Sequence, residues 1–294
     1  MINASLVKEL RDKTGAGMMD CKKALEATGG VIEEAIKWLR EQGIVKAQKK
    51  GDRIAAEGVI NCIINENRAV LYEVNCETDF VAQNEKFLNF VKKIGEAIVK
   101  SNATCIDCVK HVSVDGETVD EMILNAIATI GEKITLRRLE IFEKDDKQGF
   151  GKYVHFNWKY GALVLLDSIN EEVGTNLCMQ IASMNPKYLD SSFIPKETLE
   201  EEFNIIKKEA ELDPKLQGKP QNVIDNIIRG RVDKSLKDIC LVNQEFIDDA
   251  SMKVSDYLTK TKVKVLRFAR FAVGEGIEKK KDDFVEEVMK AVNG

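Results

Sequence analysis

The chain has 294 residues, and at roughly 150 residues per domain we expect about two domains. Its 44 basic and 49 acidic side chains leave a net charge of −5, which excludes a strongly basic nucleic-acid coat and a disordered polyelectrolyte. One of the longest apolar runs, Gly161–Leu166, is far shorter than the roughly 18 residues that a membrane-spanning helix requires. The first residues carry charges where a signal peptide needs an apolar segment, and the seven cysteines are scattered. We therefore predict a cytoplasmic protein with reduced thiols and no membrane partner.

Residues 1–45 have the apolar periodicity of three short helices, and the third is predicted to end at Gly43. So small a unit buries little surface, which is more typical of a docking module than of an enzyme. Residues 46–56 follow as a predicted basic linker, with four basic side chains against one aspartate. Contact with phosphates and simple solvation both stay open for this linker, and solvation is the more common behaviour of such a charge run.

Residues 57–144 predict a first α+β core subdomain, because the apolar pattern changes from a helical to a β-type period at Glu57. Two β-rich runs around the turn-like Asn65-Glu66-Asn67 predict a hairpin of Gly58–Asn65 with Arg68–Cys76. The later elements predicted in this subdomain are a helix capped by Asn84, a helix over Glu117–Ile130 and a strand over Ile134–Phe142.

Residues 145–194 and 241–274 predict a second core subdomain that begins with the same strand–strand–helix order. Its predicted strands are Tyr153–Trp158, Gly161–Asp167, Leu241–Ile247 and Lys262–Val273. Residues 195–240 predict a helical hairpin inserted into this subdomain, and residues 275–294 contain a last amphipathic helix over Glu278–Val292. The predicted fold class is therefore α+β, with antiparallel sheets in two related core subdomains.

The residues that could support catalysis are few. Only two histidines occur, and the sequence contains no nucleophile elbow, no HExxH motif and no phosphate-binding GxxxxGK motif. Cys105, Cys108 and His111 have the spacing of three zinc ligands, but a fourth ligand is missing. Structural zinc, redox activity and incidental cysteines all stay open, and incidental cysteines are favoured. We expect no cofactor and no metal site.

Phe80 occupies an unusual position, between a predicted strand and a predicted helix and directly after Asp79. Burial of Phe80 in the core of its own subdomain is the favoured interpretation from the residues alone. An aromatic side chain beside an acidic one on a rigid loop would also suit a protein-binding hot spot. Both interpretations stay open at this point.

Four groups of residues follow one another in the order of a known family. They are Leu10-Arg11 with Thr14–Leu25, Glu73–Asn84, Ile130–Glu132 with Arg137-Arg138, and Arg267-Phe268 with Phe271–Glu278. These segments closely resemble the translation elongation factor Ts family, and Glu73–Asn84 is the most characteristic of them. The resemblance extends over nearly the whole chain.

The resemblance implies a ubiquitin-associated-like domain at 1–45, two α+β core subdomains, an inserted helical hairpin and a C-terminal helical module at 275–294. It implies a guanine-nucleotide exchange factor that binds the GDP form of elongation factor Tu and disturbs its magnesium and phosphate site. GDP release then allows GTP to bind during translation elongation. No covalent reaction and no direct nucleic-acid contact are implied, so the protein is not expected to be an enzyme.

The resemblance also implies which residues bind the partner. Asp79 and Phe80 are expected to contact the nucleotide-binding domain of elongation factor Tu, with Phe80 inserted between two of its helices. The other implied contacts are Thr78, Val81, Lys22, Ile130, Gly131 and His155. In the family, small residues usually follow the histidine, whereas here Phe156 and Trp158 do. Their bulk leaves open whether His155 keeps the family's position.

Two alternatives and one assembly question also remain. A general docking module driven by residues 1–45 and a zinc- or thiol-dependent enzyme that uses Cys105 and Cys108 are the competing functions. The helical hairpin mediates dimer contacts in some members of the family, so a homodimer stays open for this chain.

Overall fold

The computed structural model describes residues 2–278, without the side chains at positions 236 and 237. The predicted last helix over Glu278–Val292, and with it most of the predicted module 275–294, therefore lies outside the described residues. The helices, labelled in chain order, are α1 (Ala4–Thr14), α2 (Met18–Ala27), α3 (Ile32–Lys49), α4 (Asp79–Ala82), α5 (Glu85–Lys100), α6 (Ile106–Lys110), α7 (Val119–Ile130), α8 (Glu171–Met184), α9 (Lys196–Leu212), α10 (Gln221–Asp238) and α11 (Val254–Thr261). The strands are β1 (Glu57–Asn65), β2 (Arg68–Cys76), β3 (Ser113–Val114), β4 (Glu117–Thr118), β5 (Thr135–Glu143), β6 (Gly149–Val154), β7 (Tyr160–Leu166), β8 (Glu245–Phe246), β9 (Asp249–Lys253) and β10 (Val265–Ala272).

Helices and antiparallel hairpins are mixed along the chain, which is consistent with the predicted α+β class. Contacts between residues divide the chain into two compact units. Among the described residues, the first contains 2–141, the segment His155–Lys159 and 271–278, and the second contains Phe142–Val154 and Tyr160–Arg270. None of the helices within residues 2–278 combines the length and the apolar character that crossing a bilayer requires.

Helices α1, α2 and α3 form the N-terminal part of the first unit around a small apolar core. The buried residues of this core are Val7, Leu10, Cys21, Ala24, Leu25 and Ala35. Asn3 caps α1, because its Oδ1 accepts the backbone N–H of Leu6 at 2.8 Å. The prediction that the third helix ends at Gly43 is wrong, since α3 continues to Lys49. Gly43 is buried inside α3, where a Cβ would lie 3.4 Å from the Cβ of Ala128 in α7. This glycine therefore lies where two helices pack together and does not end the helix.

The first sheet has the strand order β1-β2-β5, and β1 and β2 form an antiparallel hairpin with Glu57 opposite Cys76. Helix α5 presents its apolar face to this hairpin. The fully buried Tyr72 donates its hydroxyl to the Val91 carbonyl at 2.8 Å, and burial raises the Tyr72 pKa well above its ordinary value. Gly95 leaves room for the Tyr72 ring, since a Cβ at Gly95 would lie 2.1 Å from the phenolic oxygen.

The second unit contains a sheet with the order β10-β7-β6 and helix α8 packed against β6 and β7. Gly151 in β6 and Gly174 in α8 allow this contact, because a Cβ at Gly174 would lie 2.8 Å from the Gly151 Cα. The predicted strand Tyr153–Trp158 is wrong in its bounds: β6 starts at Gly149 and ends at Val154, and a turn follows. Pairing with β7 fixes these ends.

The predicted strand Leu241–Ile247 is also wrong. A 3₁₀ turn over Leu241–Asn243 precedes the two-residue strand β8, and α11 follows where no helix was predicted. Leu241 and Phe246 are buried, so the segment packs against the core without the alternation of buried and exposed residues that a strand would show. The side chain of the buried Gln244 supports this irregular backbone, since its Nε2 donates to the Asp238 carbonyl at 2.9 Å.

Residues 195–240 contain α9 and α10, which pack against each other around a small apolar cluster. Its buried residues are Ile206, Ala210, Leu216 and Ile228. Arg231 pairs with Asp213 at 2.7 Å and so links the second helix to the end of the first. The guanidinium holds the pKa of Asp213 below its usual range.

Candidate functional site

The segment after strand β2 folds into one helical turn, α4. Thr78 caps this turn, because its Oγ1 accepts the backbone N–H of Val81 at 3.3 Å. The Cys76 thiol donates to the Thr78 carbonyl at a sulfur–oxygen distance of 3.2 Å. Burial raises the pKa of the Cys76 thiol to about 12, so the thiol keeps the proton that this hydrogen bond needs. The backbone around Thr78 is thus held by side chains on both sides.

The turn directs Phe80 into solvent. Phe80 is 85% exposed, more than any other aromatic side chain among the described residues, and Asp79 beside it is also exposed. Ala82 is buried and Val81 packs against the first core, so these two residues occupy the inner side of the turn. The interpretation that Phe80 belongs to the core of its own subdomain is therefore wrong.

Two glutamates join the Thr78 segment to the loop that follows α7. Glu132 Oε2 accepts the backbone N–H groups of Glu77 at 2.9 Å and Thr78 at 3.1 Å, and Glu132 Oε1 accepts the Thr78 hydroxyl at 2.6 Å. In the opposite direction, Glu77 Oε1 accepts the backbone N–H of Lys133 at 2.6 Å. We call these reciprocal hydrogen bonds, in which each glutamate accepts from the backbone beside the other, the Glu77–Glu132 pair. It brings the predicted residues Thr78–Val81 and Ile130-Gly131 together.

Ile130 and Gly131 form the end of α7. Gly131 has a φ of +88°, a left-handed conformation that glycine adopts without steric cost. The Lys50 ammonium donates to the Gly131 carbonyl, and Lys133 Nζ donates to the Arg53 carbonyl at 2.9 Å. Burial lowers the pKa of Lys50. Lys50 therefore binds the protein's own backbone, a behaviour that the linker prediction did not include.

A groove of about 860 Å³ lies beside Phe80 in the first unit. Residues from three parts of this unit line the groove, among them Arg53, Ile54, Glu57, Asp79, Phe80 and Lys159. Arg53 Nη1 pairs with Glu77 at 3.2 Å, and Lys159 Nζ pairs with Glu57 at 2.5 Å. These ion pairs place both signs of charge around an exposed aromatic ring, which is typical of a protein-binding surface.

His155 lies in the turn after β6 and is half-buried. Its ring is 4.4 Å from the ring of Phe156, centroid to centroid. The same turn contributes Lys159 to the groove beside Phe80. The bulky residues after His155 are accommodated by a turn that points Phe156 into solvent and packs Trp158 against the first core.

Lys22 lies on α2 and is exposed, with its ammonium 3.8 Å from Glu26 one turn along the helix. It lines a second groove, of about 540 Å³, between α1 and α2. Met18 and Met19 also line this groove and are both exposed. The grooves beside Lys22 and Phe80 have no lining residue in common.

The cysteines do not all behave as predicted. Cys105 and Cys108 form a disulfide, so the prediction of reduced thiols is wrong for this pair. The other five cysteines form no disulfide and are buried. Over residues 2–278 no three His, Cys, Asp or Glu side chains are close enough to hold a metal ion, and this includes the Cys105, Cys108 and His111 cluster.

The buried carboxylate of Glu73, to which the sequence analysis assigned no role, precedes Thr78 by five residues in the chain. Glu73, with a fully buried side chain, accepts from Arg137 at 3.1 Å, from Arg138 at 2.5 Å and from the backbone N–H of Gly274 at 2.8 Å. These contacts bind the segment after β10 to the first sheet. The sequence signal that could have revealed this carboxylate is the pair Arg137-Arg138 in a predicted strand, because two adjacent positive charges there need a negative partner.

Comparison with known proteins identifies the family. The model of the family described as "Elongation factor TS" matches residues 77–275. The chain is 47% identical to elongation factor Ts of Acholeplasma laidlawii over 293 residues, which is 99% of each chain. It is 44% identical to elongation factor Ts of Spiroplasma citri over 99% of each chain, and 44% identical to that of Pediococcus pentosaceus over 98% of each. The chain therefore belongs to the translation elongation factor Ts family.

Proposed function

We propose that this protein is a guanine-nucleotide exchange factor for elongation factor Tu. It binds the GDP form, disturbs the magnesium and phosphate site and promotes GDP release, so that GTP can bind. The observation that carries the proposal is the outward position of Phe80. Phe80 is 85% exposed on a capped turn, and hydrogen bonds through Glu77 and Glu132 hold this turn to the end of α7. Membership of the elongation factor Ts family supports the identity of the partner.

The energetics require more than one contact. Burial of one phenylalanine contributes roughly 1.5–3 kcal/mol, which is about one to two decades of an equilibrium constant. Asp79, Thr78 and Val81 on the same turn, with Ile130 and Gly131 beside it, form the proposed remainder of this contact. We propose His155 and Lys22 as further contacts, on the turn after β6 and on the N-terminal groove respectively.

The mechanism is thermodynamic linkage. The factor must bind nucleotide-free elongation factor Tu more tightly than the GDP-bound form, and GDP then binds the complex more weakly by the same factor. A factor that bound both forms equally would shift nothing, however tight its binding. No bond is made or broken in this process, so the proposed protein is not an enzyme and needs no cofactor of its own. Translation elongation takes place in the cytoplasm, and the proposal includes this location.

The proposal extends to the organisation of the chain. Residues 1–45 would act as the ubiquitin-associated-like domain, residues 57–144 and 145–194 with 241–274 as the core subdomains, and residues 195–240 as a dimerisation hairpin. Three exposed apolar side chains on α9 are compatible with a second copy of the chain at the hairpin: Phe203, Ile205 and Leu212.

The test is the release rate of a fluorescent GDP analogue from the cognate elongation factor Tu, measured against the concentration of this protein. Wild type should accelerate release strongly, and Phe80→Ala should lose most of the acceleration. Phe193→Ala is the matched control, because Phe193 is an exposed phenylalanine on a 3₁₀ turn of the second unit. No acceleration by folded wild type would refute the exchange function. Equal acceleration by wild type and Phe80→Ala would remove Phe80 from the mechanism.

A docking module driven by the N-terminal helices is the second candidate. The exposed Met18 and Met19 beside Lys22 favour it, since flexible methionines suit varied apolar partners. Deletion of residues 1–45 would uncover the face of α7 against which α3 packs, so point variants separate the candidates more cleanly. A docking module should lose all binding on Met18→Ser with Met19→Ser, whereas an exchange factor should keep the contact around Phe80.

A further inference from the structure

The turn that joins β6 to β7 has a defined geometry. The Trp158 backbone N–H donates to the His155 carbonyl at 2.8 Å, and the Lys159 N–H donates to Asn157 Oδ1 at 3.1 Å. Trp158 has a φ of +57°, a left-handed conformation that a bulky residue seldom adopts. A turn closed by a left-handed residue is a common way to connect two antiparallel strands. Phe156 occupies the second position of this turn.

Four contacts hold the turn in place within the first unit. The indole of Trp158 packs against the first core, which compensates for its strained backbone, and the Trp158 carbonyl accepts the N–H of Ile60 in β1 at 2.8 Å. Lys159 Nζ pairs with Glu57, and the Lys159 carbonyl accepts the N–H of Val273 at 2.9 Å. The side chain of Phe156 is therefore presented from a rigid support.

Phe156 is 82% exposed, and among the aromatic side chains of the described residues only Phe80 is more exposed. A single exposed apolar residue is common on any protein surface. Phe156 differs because its turn is held by these contacts and because its ring lies 4.4 Å from the His155 ring, centroid to centroid. Rigid aromatic side chains bind at low entropic cost, and they are enriched among binding hot spots.

The turn also reaches the groove beside Phe80 through Lys159. Lys159 lines the same groove as Thr78, Asp79 and Phe80, and Phe156 is only three residues before it in the same fixed turn. A partner that covers Phe80 and fills this groove must meet the turn at the edge of the groove. Lys159 therefore connects the turn that carries the exposed Phe156 to the groove beside the exposed Phe80.

We propose that Phe156 is a second aromatic contact for the partner that covers Phe80, which under the proposed function is elongation factor Tu. The inference rests on that proposed function for the identity of the partner. Phe156 adds a specific contact beside the groove, and the partner surface that receives it has to be apolar and concave.

The experiment measures release of the fluorescent GDP analogue at increasing concentrations of wild type, Phe156→Ala, Phe156→Leu and the control Phe193→Ala. Truncation of a hot-spot aromatic typically weakens binding about five- to thirtyfold. We expect Phe156→Ala to raise the half-maximal concentration by that factor and Phe156→Leu to restore most of the loss, while Phe193→Ala matches wild type. Thermal melting of each variant should match wild type, because the side chain is solvent-exposed.

The outcomes separate this inference from the proposed function. Acceleration by wild type with an unchanged half-maximal concentration for Phe156→Ala would overturn the inference and leave the exchange function standing. No acceleration by wild type would refute the exchange function itself. An equal loss in Phe156→Ala and Phe193→Ala would also overturn the inference, because the loss would then not depend on the surface around Phe80.

Discussion

Removal of the Glu132 carboxylate should weaken exchange without unfolding the protein. In Glu132→Ala, the backbone N–H groups of Glu77 and Thr78 and the Thr78 hydroxyl lose their common acceptor. The Thr78 turn would then be held to the end of α7 mainly by the reverse hydrogen bond from Lys133 to Glu77. Phe80 would leave its fixed position in part of the population.

The magnitude follows from the burial of the three donors. A hydrogen bond to a charged group contributes about 1.5–3 kcal/mol when it is well shielded from water. Thr78 is exposed, so water replaces most of what its two donors lose, whereas the Glu77 N–H is only partly accessible. One bond counted in full gives about 2 kcal/mol, which is roughly a thirtyfold change in the population of the fixed turn.

Nucleotide-release kinetics and amide hydrogen exchange together test this reasoning. Glu132→Ala should raise the half-maximal concentration for exchange about ten- to thirtyfold and should increase amide exchange at Glu77 and Thr78. Glu132→Gln keeps an acceptor of the same length and should stay within about threefold of wild type. Glu41→Ala, at an exposed position on α3, is the control. Normal exchange kinetics in Glu132→Ala, together with faster amide exchange at Thr78, would refute the claim that the Glu77–Glu132 pair positions Phe80.

Two further predictions concern stability and thiol chemistry. Glu73→Gln replaces a fully buried carboxylate, which the partly exposed Arg137 and Arg138 bind, with a neutral amide, and the free energy of unfolding in urea should fall by about 3 kcal/mol; a change below about 0.5 kcal/mol would contradict the structural role of this carboxylate. A thiol reagent at pH 8 should find no fast-reacting cysteine in the native protein and two after mild reduction, Cys105 and Cys108, because the other five are buried. Cys76 in particular stays protonated at pH 8, below its raised pKa of about 12, so rapid labelling of Cys76 in folded protein would contradict the structure.

Local sequence patterns were sufficient for several elements. The predicted hairpin of Gly58–Asn65 with Arg68–Cys76 agrees with β1 and β2 to within one residue, because strand alternation and a polar turn are both local signals. The predicted helix over Glu117–Ile130 ends with α7 at Ile130, where a left-handed glycine follows, but α7 begins two residues later than predicted, at Val119, because Glu117 and Thr118 form β4. Sequence motifs were also sufficient to identify the elongation factor Ts family.

Tertiary contacts decided what local patterns could not. Gly43 has the chemistry of a helix stop, but it lies inside α3 because Ala128, 85 residues away, packs there. The turn after β6 is set by pairing with β7 and by the burial of Trp158. The end of the predicted strand over Tyr153–Trp158 therefore could not be located from the composition of that segment. Such contacts join residues that are far apart in the chain, and no local period reports them.

The candidate site shows the same division. The sequence by itself determined that Thr78, Asp79 and Phe80 follow a strand in a characteristic motif, and it identified the family to which the motif belongs. Only the tertiary structure decided that Phe80 faces solvent, since this depends on which side of a single helical turn meets the core. Only the structure showed that Glu132, 54 residues beyond Thr78, holds this turn. Hydrogen bonds between distant carboxylate and backbone groups form after the chain has folded, and they have no periodic signature in the sequence.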